Sequence, residues 1–210
     1  MAHEAGCAYL IVEIPGTGVS PALPTDPESP DRLLSSILDW VDSRRDLDSG
    51  RVIIWGVSTE GYYGFRAAYT HRERLLGAIG NGGSSNCVLT RIWMSVADIG
   101  EYPTSLSRTF AWKFGYDPID QYGQFMSDLP ELKHNFSMVD TGLADGNSAA
   151  LLSVDGSNDT IFPIEDTTVL PEHRGPKSAR IVAGADNPGE PAATPLIFQW
   201  IADLLTDRTR

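Results

Sequence analysis

At 210 residues with 41% hydrophobic side chains, the chain is long enough to bury one good core and is read as a single domain spanning 1–210. Its net charge of −12, from 28 acidic against 16 basic residues, argues against nucleic acid and against an anionic membrane surface, because both need clustered Lys and Arg. No apolar run reaches the roughly 18 residues of a membrane span, no basic stretch leads into an apolar one as in a secretion signal, and two cysteines, Cys7 and Cys87, make no disulfide framework. A cytoplasmic protein without membrane is expected. The four histidines (His3, His71, His134, His173) are scattered, so no metal and no cofactor are expected.

In chain order, Tyr9-Leu10-Ile11-Val12-Glu13-Ile14, stopped by Pro15-Gly16, predicts a buried strand. Residues 15–30 are loop. Ser29-Pro30-Asp31 predicts a helix start with Ser as cap, and Leu34, Ile37, Leu38 and Val41 carry the helix over 30–46. Arg51 to Trp55 predicts a second strand, Glu60 to Thr70 a helix, and Leu75 to Ile79 a third strand. Leu151 to Val154 and Ala179 to Ala183 follow as strands, and Thr194-Pro195 opens a last helix. Strands alternating with helices predict an α/β fold with a parallel sheet. The strand-free stretch at about 86–148, rich in aromatics such as Trp93, Phe110, Trp112 and Phe125, predicts an inserted helical cap that shapes a pocket.

The sharpest signal is Trp55-Gly56-Val57-Ser58-Thr59-Glu60-Gly61. A strand ending in Gly-x-Ser and turning at once into a helix holds its serine in a strained, exposed conformation. Ser58 is therefore the candidate nucleophile, and the N–H of Thr59, at a helix N-terminus, the candidate oxyanion donor. Glu60 breaks the Gly-x-Ser-x-Gly pattern. Its side chain is expected to crowd the turn and to set a carboxylate against a developing oxyanion.

Asp159, in the loop after a late strand, sits where the acid of a serine triad belongs in the order Ser, acid, His. Asp155 competes for the role, and plain turn chemistry explains either aspartate as well. The base is missing. Positions 184–191 read Gly-Ala-Asp-Asn-Pro-Gly-Glu-Pro without a histidine. His173 precedes the last strand and is expected at the opposite edge, and His71 and His134 read as surface or helix-end residues.

These segments resemble the α/β-hydrolases of fungal secondary metabolism, namely the polyketide-shortening hydrolases of pigment pathways and the related polyketide transferases, kin to FrsA-like esterases. The resemblance rests on Glu13-Ile14-Pro15-Gly16-Thr17-Gly18, Ser29 to Leu33, Trp55 to Ser58, Gly61 to Ala68, Asp155 to Pro163 and Gly189-Glu190-Pro191. It implies Ser58 as nucleophile, Asp159 as acid, and Asn187 at the position of the family's histidine. It also implies an α/β-hydrolase-like parallel sheet with the N-terminal strands, and the second oxyanion donor they supply, missing. The expected function is a serine hydrolase or acyl transferase acting on a polyketide-type acyl or ketone substrate in pigment or toxin biosynthesis, with impaired activity. The alternative is a catalytically dead remnant that binds an acyl chain or a partner protein. A sheet lacking its first strands exposes an edge, through which a homo-oligomer can form.

Overall fold

A computed structural model describes residues 6–23, 25–100, 105–173 and 175–206. Four parallel strands, β1 (Ile53–Val57), β2 (Gly77–Asn81), β3 (Ala150–Gly156) and β4 (Lys177–Val182), lie side by side in that order. Every residue of β2 and β3 is buried, as a parallel sheet covered on both faces requires. Successive residues serve opposite faces. Ala78 and Leu151 meet Tyr62, Phe65 and Ala68 of α2 (Gly61–Thr70), whereas Ile79, Leu152 and Val154 meet Ala193 and Ile197 of a C-terminal helix, Ala193–Thr206. The first helix, α1 (Ser29–Asp42), packs outside α2 through Leu38 and Ala67. A two-pronged ion pair from Arg66 to Asp31, at 2.9 and 2.7 Å, ties the two helices together.

Several predicted elements shift. Tyr9 to Ile14 is not a strand: the segment carries no sheet pairing, and Ile11 is 95% exposed. A strand needs a neighbour, and among the described residues none lies beside it. Ser29 is the first helical residue of α1 rather than its cap; its Oγ donates to the Leu23 carbonyl at 2.6 Å. The helix closes at Asp42, four residues short of the prediction. The strand expected from Leu75 starts at Gly77, because Leu75 is drawn into the packing beneath α1.

Between β2 and β3 come α3 (Arg91–Val96), α4 (Leu106–Lys113) and α5 (Tyr122–Phe136). Of their aromatic side chains, Trp93, Phe110 and Phe125 pack into a core of their own, whereas Trp112 is exposed. Trp93 meets Phe110 edge-on at 5.2 Å, Phe125 is fully buried, and the Trp93 indole donates to the Ile161 carbonyl at 2.6 Å. After β3 a short helix, α6 (Asp166–Val169), precedes β4, and the C-terminal helix is α7. No helix of the described residues is long and apolar enough to cross a membrane.

Candidate active site

β1 leaves Val57 in extended backbone (φ −117°, ψ 134°), and Ser58 then turns to φ 55°. That left-handed conformation costs an L-residue about 1–2 kcal/mol. A 3-10 turn, Ser58–Glu60, leads directly into α2. Two glycines make the turn possible. A Cβ on Gly56 would sit 2.0 Å from the Glu60 carbonyl oxygen, and one on Gly61 would sit 2.8 Å from the Gly83 Cα. Glu60 does not crowd the turn as its sequence position suggests; its side chain is exposed and only its backbone packs against Gly56. The N–H of Thr59 belongs to the first turn, whose donors have no acceptor within the helix.

The sheet register carries the site outward from Ser58. Val57 pairs with Asn81 and Asn81 with Val154, so Ser58 and Gly82 leave neighbouring strand ends, which lie about 4.8 Å apart in a sheet. Gly82 turns at φ +70° and donates its N–H to the Val154 carbonyl at 2.7 Å. Its own carbonyl accepts from Asn187 Nδ2 at 3.0 Å, and the same nitrogen donates to Asp159 Oδ2 at 2.8 Å. Asp159 Oδ1 accepts from the N–H groups of Ile161 (2.6 Å) and Phe162 (2.9 Å). Asp159 and Asn187 are thus in contact, and Asn187 rests on the turn beside Ser58. Asp155 is buried at the end of β3, where its Oδ1 accepts from Gly156 N–H at 2.7 Å.

An amide nitrogen has two hydrogens, and here both have acceptors. It presents to Asp159 what the N–H of an imidazole would present, but it has no basic lone pair with which to take the Ser58 proton. The described histidines are engaged elsewhere. His71 stands at the C-terminal end of α2, as a helix-end residue, and is buried there rather than exposed, with its ring nitrogens at 2.9 Å from Ser35 Oγ and 2.8 Å from Thr70 Oγ1. His173 Nδ1 lies 3.2 Å from Asp145 Oδ1, and His134 is exposed on α5. His3 lies outside the described residues.

Two charged residues near the site escaped the sequence reading. Lys113 of α4 is 8% exposed; its Nζ donates to the Pro15 carbonyl (2.6 Å) and to Tyr63 Oη (3.0 Å). Burial lowers its pKa to about 8, against the pull of Glu60. Asp166 is a buried carboxylate that accepts from Ser84 Oγ (2.5 Å), Ser85 Oγ (3.2 Å) and the N–H groups of Asn86 (2.9 Å) and Cys87 (3.0 Å). It pins the turn that follows Gly82-Gly83, and burial raises its pKa. No sequence motif marks either residue. A cavity of about 400 Å³, lined by Ser49, Glu73, Arg74, Ser148 and Pro176 among others, lies at the strand starts, the opposite end of the sheet from Ser58.

No family model matches the chain, and no curated protein does. Solved structures do. AbyA5 superposes with a TM-score of 0.65 at 23% identity, over 91% of this chain and 52% of its own. The 2,6-dihydroxy-pseudo-oxynicotine hydrolase gives 0.63 at 15% identity, over 91% of this chain and 51% of its own. Acetyl xylan esterase from Paenibacillus sp. R4 gives 0.58 at 20% identity, over 91% and 60%. The fold is that of an α/β-hydrolase. This chain spans about half the length of AbyA5 and of the oxynicotine hydrolase. Within the hydrolase fold the nucleophile stands on the elbow after a strand, and acid and histidine follow in that order. In this chain Ser58 stands on a turn of that kind, and Asp159 and Asn187 come later in the sequence.

Proposed function

We propose that the chain is a serine hydrolase or acyl transferase of impaired activity, acting on a polyketide-type acyl or ketone substrate of fungal secondary metabolism. The left-handed Ser58 at the head of α2 is the observation that carries this reading, because a serine is held there at a conformational cost that ordinary strand–helix junctions avoid. Ser58 Oγ attacks the substrate carbonyl while its proton passes to water, there being no histidine to take it, and the Thr59 N–H receives the developing oxyanion. Collapse expels the leaving group and leaves an acyl enzyme, which water or another acceptor resolves. Asp159 is the acid of the constellation, and the helices between β2 and β3 form its cap. Asn187 preserves the acid's hydrogen bond but not the proton transfer, and loss of a triad histidine costs several orders of magnitude in rate.

The second reading is a non-catalytic remnant that binds an acyl chain or a partner protein; the engaged amide protons of Asn187 favour it. A fluorophosphonate probe separates the two, since it labels only an activated serine. The original chain, Asn187→His, and Asn187→His with Glu60→Gly are compared, with Ser58→Ala as the blank. The proposal expects labelling of Ser58 to appear with the Asn187→His substitution, and hydrolysis of β-ketoacyl thioesters to appear with it. No labelling in any chain leaves the binding reading standing.

A further inference from the structure

The chain leaves β2 through two glycines, Gly82 and Gly83. Neither position has room for a side chain. A Cβ on Gly82 would sit 2.8 Å from the Pro188 Cα, and one on Gly83 would sit 2.7 Å from the Gly61 Cα at the head of α2. Two glycines in a row make a pliable linkage. The Gly82 N–H is held by the Val154 carbonyl. The Gly82 carbonyl, on which Asn187 rests, belongs to the next peptide plane, and the direction of that plane depends on the residues that follow.

Those residues are held from a distant part of the chain. Ser84 and Ser85, through their hydroxyls, and Asn86 and Cys87, through their N–H groups, all donate to the carboxylate of Asp166 in α6. Asp166 is 1% exposed. It lies on the same segment as Asp159, which that segment folds around itself: Ile161 and Phe162 donate to Asp159, and the Asp166 N–H donates to the Pro163 carbonyl at 2.9 Å. The contacts form a closed circuit. It runs from the Gly82 carbonyl through Asn187 to Asp159, along the segment to Asp166, and back through Ser84 and Gly83 to Gly82.

We propose that Asp166 is a positioning residue of the candidate site: by holding residues 84–87 it sets the Gly82 carbonyl, and through it the side chain at position 187. A carboxylate suits the task, because two ionised oxygens accept several hydrogen bonds and donate none. An amide in its place has one accepting oxygen and turns two N–H groups on a cluster of donors. The inference rests on the proposed function only in treating position 187 as part of the site, and its contacts can be tested in the unaltered chain.

Nuclear magnetic resonance reads the side-chain NH2 of Asn187, identified as the signal pair lost in Asn187→Asp. Asp166→Asn should speed hydrogen exchange of that NH2 by about tenfold through local opening. Ser84→Ala, which removes one donor and spares the charge, should speed it by less and keeps the test open where Asp166→Asn fails to fold. Leu38→Ala, a cavity beneath α1, should lower the urea midpoint and leave this exchange unchanged. Unchanged exchange in folded Asp166→Asn, or in Ser84→Ala where the former does not fold, overturns the proposal. Equal acceleration in Leu38→Ala overturns it too, since the effect is then one of stability alone. In the Asn187→His chain, Asp166→Asn should slow fluorophosphonate labelling of Ser58 by about tenfold. No labelling of Asn187→His itself overturns the proposed function and leaves the exchange result to decide on Asp166.

Discussion

Ser58 holds a conformation that suits glycine better than serine. Ser58→Gly should therefore raise stability by about 1 kcal/mol in urea unfolding, while removing the hydroxyl proposed above to be acylated. Gly56→Ala goes the other way. With the Glu60 carbonyl 2.0 Å from the new Cβ, it should cost about 3 kcal/mol, read as a lower urea midpoint. Asn187→His should raise fluorophosphonate labelling of Ser58 by about a hundredfold or more. Much of this was legible in the sequence. Gly-x-Ser after a β-branched run marks the sharp turn at Ser58, and Asp159 and position 187, singled out by their order in the chain, are in contact. The broken pentapeptide misled, because Glu60 meets Gly56 through its backbone and sends its side chain to solvent.

At the scale of elements, the run Tyr9 to Ile14 shows the limit of strand propensity. It has three β-branched residues and a tyrosine among six, yet a strand is defined by its neighbour, and among the described residues none lies beside it. The aromatic insert shows another limit. A row of Trp and Phe can line a pocket or fill a core, and composition does not distinguish the two; here Trp93, Phe110 and Phe125 fill a core of their own. Lys113 was invisible because its partners, Pro15 and Tyr63, lie far away in the chain. It clasps α4 to α2 and to the loop after residue 14. Its amine loses its proton near pH 8 in the folded chain and near 10.5 when unfolded. Between those values the unfolded state binds more protons, so this group makes stability rise with pH across that window, and below it the cost of a buried charge is present in full. Lys113→Met should abolish the rise, seen as a difference in urea midpoints between the two chains from pH 8 to 9.5.

At the scale of the molecule, four parallel strands lie between α2 on one face and α7 on the other. The parallel sheet and its two helical faces follow from alternating apolar runs that anyone can read along the chain. The order of the strands does not, because an apolar run such as Ile53 to Val57 reads the same at the centre of a sheet as at its border.

The contact of Asn187 with Asp159 and Gly82 also has a genetic side. Codons for asparagine and histidine differ at the first base alone, and those for glutamate and glycine at the second. Because Asp159 already holds the side chain at position 187, a point mutation there would offer that carboxylate an imidazole in place of an amide. If the proposed chemistry holds, a single base change is all that separates a silent lineage from a catalytic one.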